Sequence, residues 1–284
     1  MTRLFKREVE LTLARPVAGE FFAEQPNAII VRDLRVQFSI EKHLKSEPNA
    51  CTVTISNMAE GTRAEVQRKP LKVTLAAGYD GELERVFTGD LRFAESKKQG
   101  VEWETVLQLA DGDRAFRHAR VNRSFRSGVS GKDVLSDLAN SFGLRIPTSA
   151  ADAKELTKQF TGGMTLSGPT SREMDRLTAS TGLTWSIQDG SLQLLRKGQA
   201  NAGVAIPVSQ DAGLIDVPEF GAPKQKGEPP VLSFRMLLYP GMRPGGRILM
   251  QSRNVRGDFV VQRLVHTGDT HGGDWTTSVE AIPL

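Results

Sequence analysis

Between residues 231 and 284, apolar and polar side chains alternate with a period of two. Leu232, Phe234, Met236 and Leu238 share one face of an extended segment, with Ser233 and Arg235 on the other, which predicts a half-buried strand. The chain then meets Tyr239-Pro240-Gly241-Met242-Arg243-Pro244-Gly245-Gly246. Proline fixes φ and glycine admits positive φ, so the strand must turn there. Ile248 and Met250 share a face, as do Phe259 and Val261, and a last strand sets Trp275, Thr277, Val279 and Ala281 against Thr276, Ser278 and Glu280. Residues 267 to 274 are expected to form a hairpin tip.

The first 120 residues repeat this rhythm. Val9, Leu11 and Leu13 alternate with Glu8, Glu10 and Thr12; Leu34, Val36, Phe38 and Ile40 alternate with Arg35, Gln37 and Ser39; Leu71, Val73 and Leu75 follow Pro70. Val101, Trp103, Thr105, Leu107 and Leu109 alternate with Glu102, Glu104 and Gln108, and Gly78-Tyr79-Asp80-Gly81 reads as a hairpin turn. Closing such strands into a barrel would remove their exposed edges.

The period changes between about 127 and 198. Ser130 with Asp133 reads as a helix cap, Val134, Leu135, Leu138, Ala139 and Phe142 recur at helical spacing, and Gly143 stops the helix. Thr170 and Glu173 repeat the start signal, with Gly182 at the end, and Leu183, Trp185 and Ile187 turn at Asp189-Gly190 into Leu192 and Leu194. The expected fold is therefore mainly β with an α+β insert: a first small antiparallel β-barrel over 1–120, a helix and hairpin piece over 121–202, and a second barrel over 203–284. Val204, Ile206 and Val208 would begin that second barrel, and the Pro/Gly-rich stretch 216–230 would ride outside it as a loop.

Composition narrows the function classes. A chain of 284 residues buries enough surface to need neither disulfides nor metals. Its single cysteine, Cys51, lies in phase with Val53 and Ile55, as a buried hydrophobe does. No apolar run approaches the length of a membrane span, and the charged start Met1-Thr2-Arg3-Leu4-Phe5-Lys6-Arg7 does not resemble a secretory leader. A net charge of +4 spread over the whole chain is too weak a field to require nucleic acid.

Candidate chemistry is sparse. His266 and His271 stand near Asp269 and Asp274, but glycines at 268, 272 and 273 exclude the helix that would align the rings. Turn aspartates and a bracing histidine explain the segment better than a metal site. Gly128-Val129-Ser130-Gly131-Lys132-Asp133 lacks the spacing of a phosphate loop. No catalytic, cofactor or metal residue is expected. Arg114, Arg117, Arg120, Arg123 and Arg126 recur at every third position, with Phe116 and Phe125 interleaved and no acid among them. Three readings suit that row: a grip on phosphates, a solvated connector, or forks awaiting carboxylates on a neighbouring subunit. With His266 and His271, the five arginines form the set of candidate interface residues.

The stretch from Tyr239 to Ala281, with its Pro-Gly turn and the Gly268-Asp269-Thr270-His271-Gly272-Gly273-Asp274-Trp275 hairpin, resembles the baseplate hub proteins of phage tails, the late control protein D family. The runs Arg32-Asp33-Leu34-Arg35-Val36-Gln37-Phe38, Cys51-Thr52-Val53-Thr54-Ile55-Ser56-Asn57 and Val86-Phe87-Thr88-Gly89-Asp90-Leu91 extend the likeness more loosely. The resemblance implies a homotrimer whose two tube-like barrels per copy form a pseudo-hexameric ring, a symmetry adaptor between hexameric tail tube and trimeric spike. The implied partners are the tail tube protein, the spike, the tape-measure protein and baseplate wedge proteins, with either DNA or an effector as the cargo of the lumen. The implied location is the virion tail baseplate of a phage or contractile injection system, assembled in the host cytoplasm. The competing readings are a nucleic-acid-binding barrel built on the arginine row and a metal-dependent hydrolase using His266, Asp269 and His271.

Overall fold

The computed structural model describes residues 6–15, 28–68, 71–144, 154–223 and 227–284. Residues 1–5 of the charged start, Pro70 and residues 224–226 of the Pro/Gly-rich stretch lie outside these. The chain is mainly β, as the alternation predicts.

Seven strands and one short helix precede residue 111: β1 (Arg7–Ala14), β2 (Ile29–Val31), β3 (Val36–His43), β4 (Ala50–Ser56), α1 (Glu60–Val66), β5 (Lys72–Tyr79), β6 (Glu82–Gln99) and β7 (Glu102–Ala110). Their inward positions form one apolar cluster that includes Leu11, Phe38, Ile40, Val53, Leu75, Phe87 and Leu107. Each such side chain contributes about 2 kcal/mol by leaving water. Asp80 and Gly81 hold positive φ in the β5–β6 turn, at +46° and +84°, and a Cβ on Gly78 would lie 1.9 Å from the Glu82 carbonyl oxygen, so that strand end admits only glycine. One expectation fails here. Val101 is 93% exposed and Trp103 is also exposed, because β6 and β7 run beyond the core as a ribbon, where the Arg63 guanidinium lies 4.1 Å from the Trp103 ring centroid.

The middle segment holds α2 (Asp113–His118), β8 (Arg120–Phe125), β9 (Val129–Ser130), α3 (Gly131–Phe142), a 3-10 turn at Lys154–Thr157, β10 (Gln159–Phe160), β11 (Met164–Pro169), α4 (Thr170–Thr181), β12 (Leu183–Gln188) and β13 (Ser191–Arg196). Ser130 Oγ accepts from the Asp133 amide at 3.2 Å, and Gly143 ends α3 in the left-handed region, the cap and stop expected of those residues. The second helix starts differently. Pro169 occupies the N-cap with no side-chain hydrogen bond, and Thr170 is the first helical residue; its hydroxyl instead meets Ser141 Oγ of α3 at 2.7 Å. A second apolar cluster fills this segment around Leu135, Leu138, Met174, Trp185 and Ile187.

The last segment comprises β14 (Ile206–Val208), β15 (Glu219–Gly221), β16 (Val231–Leu237), β17 (Arg247–Gln251), β18 (Arg256–Asp269) and β19 (Trp275–Pro283), around a third cluster of Leu232, Phe234, Met236, Ile248, Met250 and Val279. Three details differ from expectation. Val204 is 95% exposed, so the strand begins at Ile206. Part of the expected outer loop is the short strand β15, paired with β16. β18 extends through Asp269, which confines the hairpin tip to residues 270–274. The pair β14–β17 is parallel, whereas the other ladders among the described residues are antiparallel.

The strands do not close into two separate barrels. Among the described residues, thirteen form one open sheet in the order β15-β16-β19-β18-β3-β4-β7-β6-β5-β1-β2, with β17 joining β18 and β14 joining β17. The join lies at β18 and β3, where Arg263 to Asp269 pair with His43 to Gln37. Trp275 crosses the same join to pack in the first cluster, edge-on to Phe38 and Tyr79 at centroid distances of 5.5 and 6.3 Å.

Candidate functional site: a buried ionic junction and an exposed arginine cluster

Where the three clusters meet, the chain buries charge. Lys42 follows Val36, Phe38 and Ile40 in phase on the inner face of β3 and is wholly buried. Its Nζ lies 2.7 Å from both carboxylate oxygens of Asp189, at the β12–β13 turn. Arg243, from the turn before β17, brings its Nε to 3.2 Å from the same carboxylate. Asp111, just after β7, accepts hydrogen bonds from the amides of Asp189 and Gly190, the latter at 2.9 Å. Asn49 donates to the Ile187 carbonyl at 2.9 Å, and Gln193 donates to the Pro244 carbonyl at 3.0 Å. One β-turn is thereby held from both β regions at once.

Burial sets the protonation of this group. Desolvation, reinforced by the Asp189 carboxylate, pushes the Asp111 carboxyl up to about 7. Desolvation also lowers Lys42, against the pull of Asp189. His266 on β18 is fully enclosed, and burial followed by the charges of Lys42 and Arg243 holds it well below the usual histidine range. Its Nδ1 meets Thr277 Oγ1 at 2.9 Å, while Nε2 has no hydrogen-bond partner.

The arginine row divides among three places. Arg114 and Arg117 lie on α2, Arg120 and Arg123 on β8, and Arg126 just beyond β8, all exposed. A spacing of three keeps residues on one side of a helix but sends them to opposite faces of a strand, so the row is not one stripe. Arg117 and Arg92 both grip Asp113, through Nε at 2.8 and 2.7 Å. Burial would lift the Asp113 carboxyl, but the two guanidiniums outweigh it and hold the group below its ordinary value. Arg120 donates to the carbonyls of Arg117 and Ala119 at 3.2 and 3.0 Å, and Arg123 pairs with Asp137 on α3 at 3.2 Å. The interleaved phenylalanines point inward: Phe116 stacks on Trp185 at 5.3 Å, and Phe125 packs against the second cluster.

The hairpin histidines do not converge. His266 is buried, while His271 is exposed at the tip with Nδ1 3.0 Å from Thr270 Oγ1. Asp269, between them, is occupied by Arg35 Nη2 at 2.8 Å, Gln37 Nε2 at 2.9 Å and the His271 amide at 2.9 Å. The Arg35 hydrogen bond leads in holding that carboxyl below the usual range. Among the described residues, no three His, Cys, Asp or Glu side chains are placed to share a metal ion, and no helix is long and apolar enough to cross a membrane.

No family model matches this sequence, and no curated protein is significantly similar to it. Solved structures are. A tail protein from Neisseria meningitidis superposes with a TM-score of 0.65 at 11% identity, covering 98% of this chain and 97% of that one. The 43 kDa tail protein of a Mu-like prophage from Shewanella oneidensis gives 0.64 at 10% identity over 96% of both chains. The fold is that of phage tail proteins. An Escherichia coli type VI secretion component, itself structurally similar to the T4 tail proteins gp27 and gp5, gives 0.62 at 10% identity over 89% of this chain and 74% of that one.

Within this tail-protein fold, the expected interface residues scatter: Arg123 faces α3, Arg126 lies past β8, His266 is sealed inside and His271 sits at a tip. Arg117 and Arg120 stay together, Arg117 on Asp113 and Arg120 on the Arg117 carbonyl, while Arg114 meets Asp90 through its backbone amide. The ionic junction is absent from the sequence reading. One signal for it exists, because Lys42 and His266 both continue the inward period of their strands, and a polar group at an inward position needs a buried partner.

Proposed function

We infer that this chain is a baseplate hub subunit of a phage tail or related contractile injection machine, working as a trimeric ring that joins the hexameric tail tube to the trimeric spike. The observation that carries this reading is the β18–β3 ladder. It fuses two strand-built regions, each with its own apolar cluster, into one sheet within a fold that phage tail proteins share over nearly their whole length. Two strand-built regions per copy allow three copies to present six related surfaces, which is what a threefold-to-sixfold adaptor requires. In this reading the chain divides near residues 120 and 202, with the middle segment outermost.

The role needs contact surfaces and no turnover. The partners are the tail tube protein, the spike and the tape-measure protein, with wedge proteins at the periphery and DNA or an effector in the lumen. The site of action is the virion baseplate, after assembly in the host cytoplasm. The rival readings lack a supporting geometry. Phe116 and Phe125 are packed inward and cannot stack bases, and His266, Asp269 and His271 do not meet.

Sedimentation and electron microscopy of the purified chain, alone and mixed with its tube and spike proteins, test the proposal. A threefold particle with six similar lobes around an opening is the expected result. A monomer that binds neither neighbour would end it.

A further inference from the structure

Exposed positive charge is concentrated where the first strand-built region meets the middle segment. Arg92 and Arg117 meet there on Asp113, with Arg120 alongside on the Arg117 carbonyl. Asp113 is 4% exposed, so its charge is spent inward. The Arg92 and Arg117 side chains remain 43% and 60% exposed.

The geometry is more specific than a basic patch. Arg92 and Arg117 each offer Nε and Nη2 to one oxygen of Asp113, which fixes both planes and leaves both Nη1 groups directed away from it. Arg120 spends Nη1 on two carbonyls, leaving Nη2 to a partner. These are guanidinium forks held ready, so little side-chain entropy remains to be lost when an acceptor arrives. Flexible lysines in their place would carry charge without that positioning.

We propose that Arg92, Arg117 and Arg120 form a docking surface for a carboxylate-rich protein face. Charge complementarity sets the sign of the partner, and its class follows from the aromatics: one ring, Phe93 next to Arg92, is 45% exposed, where a nucleic-acid site would offer successive stacking platforms. Single-stranded nucleic acid sites add stacking platforms to their basic grooves, whereas the two phenylalanines interleaved here are committed to the interior. Carboxylates need only the forks. The surface is independent of the ring proposed above and would stand if that ring did not form.

Fluorescence anisotropy with a labelled oligoglutamate peptide, against a single-stranded oligonucleotide of equal charge, tests this on the full chain. The peptide should bind in a salt-sensitive manner. Arg120→Gln, which leaves Asp113 fully paired, should weaken it about fivefold. The pair Arg92→Lys and Arg117→Lys, which keeps every charge but loses the forks, should weaken it about tenfold. Arg123→Gln, on a residue already paired with Asp137, should leave it unchanged. Peptide binding that is absent, or indifferent to these three arginines, overturns the proposal. Tighter binding of the oligonucleotide overturns it in favour of nucleic acid.

Discussion

Gly268 lies against Phe38 so closely that a Cβ on the glycine would come within 2.3 Å of the ring's Cζ and 2.9 Å of the Trp275 ring. Both rings are buried, so neither can swing aside into solvent. Gly268→Ala should therefore cost about 1–3 kcal/mol through overpacking, read as a lower denaturant midpoint with an unchanged slope. An alanine variant as stable as the parent would show that the Phe38–Trp275 contact has slack.

The buried pair of Lys42 and Asp189 is a second point of sensitivity. Lys42→Met leaves Asp189 with Arg243 as its remaining cation, and breaking a buried pair typically costs about 3–5 kcal/mol. Adding Asp189→Asn should recover part of that loss, because no uncompensated charge then remains. A double-mutant cycle in chemical denaturation measures the coupling, and additive losses would refute it.

Stability should also depend on pH through Asp111. Its folded carboxyl is raised to about 7, against roughly 3.9 in an unfolded chain, so the folded protein holds the proton more tightly. The stabilisation is complete below about pH 4 and is lost as pH rises through 7. His266 acts in the opposite sense: lowered in the folded state, it supports the fold above its unfolded value of about 6.5 and withdraws that support as pH falls. Asparagine stands in for the protonated carboxyl, so thermal melts of Asp111→Asn and the parent should lie closest below about pH 4 and diverge as pH rises past 7, where the variant is favoured. A difference independent of pH would mean that Asp111 is not the titrating group.

Phe116 separates two accounts of the arginine row. Packed on Trp185, it should cost about 3 kcal/mol when cut to alanine, with no change in affinity for an oligonucleotide measured on the folded variant. Lost oligonucleotide affinity at unchanged stability would restore the base-stacking reading.

Much of this fold is legible from period and punctuation. Leu232, Phe234 and Met236, or Trp275, Val279 and Ala281, point inward as alternation requires, and Ser130 and Gly143 bound α3 as their side chains dictate. Pairing between distant strands is not legible, because no local pattern tells β18 that its neighbour is β3, more than two hundred residues away. The ribbon of β6 and β7 misleads for a related reason: Val101 and Trp103 keep the alternation of a buried strand after the core beneath them has ended. The arginine spacing misleads because it crosses from a helix into a strand, where a period of three changes meaning. Lys42 is the opposite case, in phase with a buried face and therefore visible, yet its partner Asp189 looks like an ordinary turn residue until the hairpin is docked.

The seam between β18 and β3 also governs how the molecule can be divided. A fragment ending near residue 202 would lay bare the hydrogen-bonding edge of β3 and leave Phe38 without the indole that covers it, an adhesive border suited to clumping.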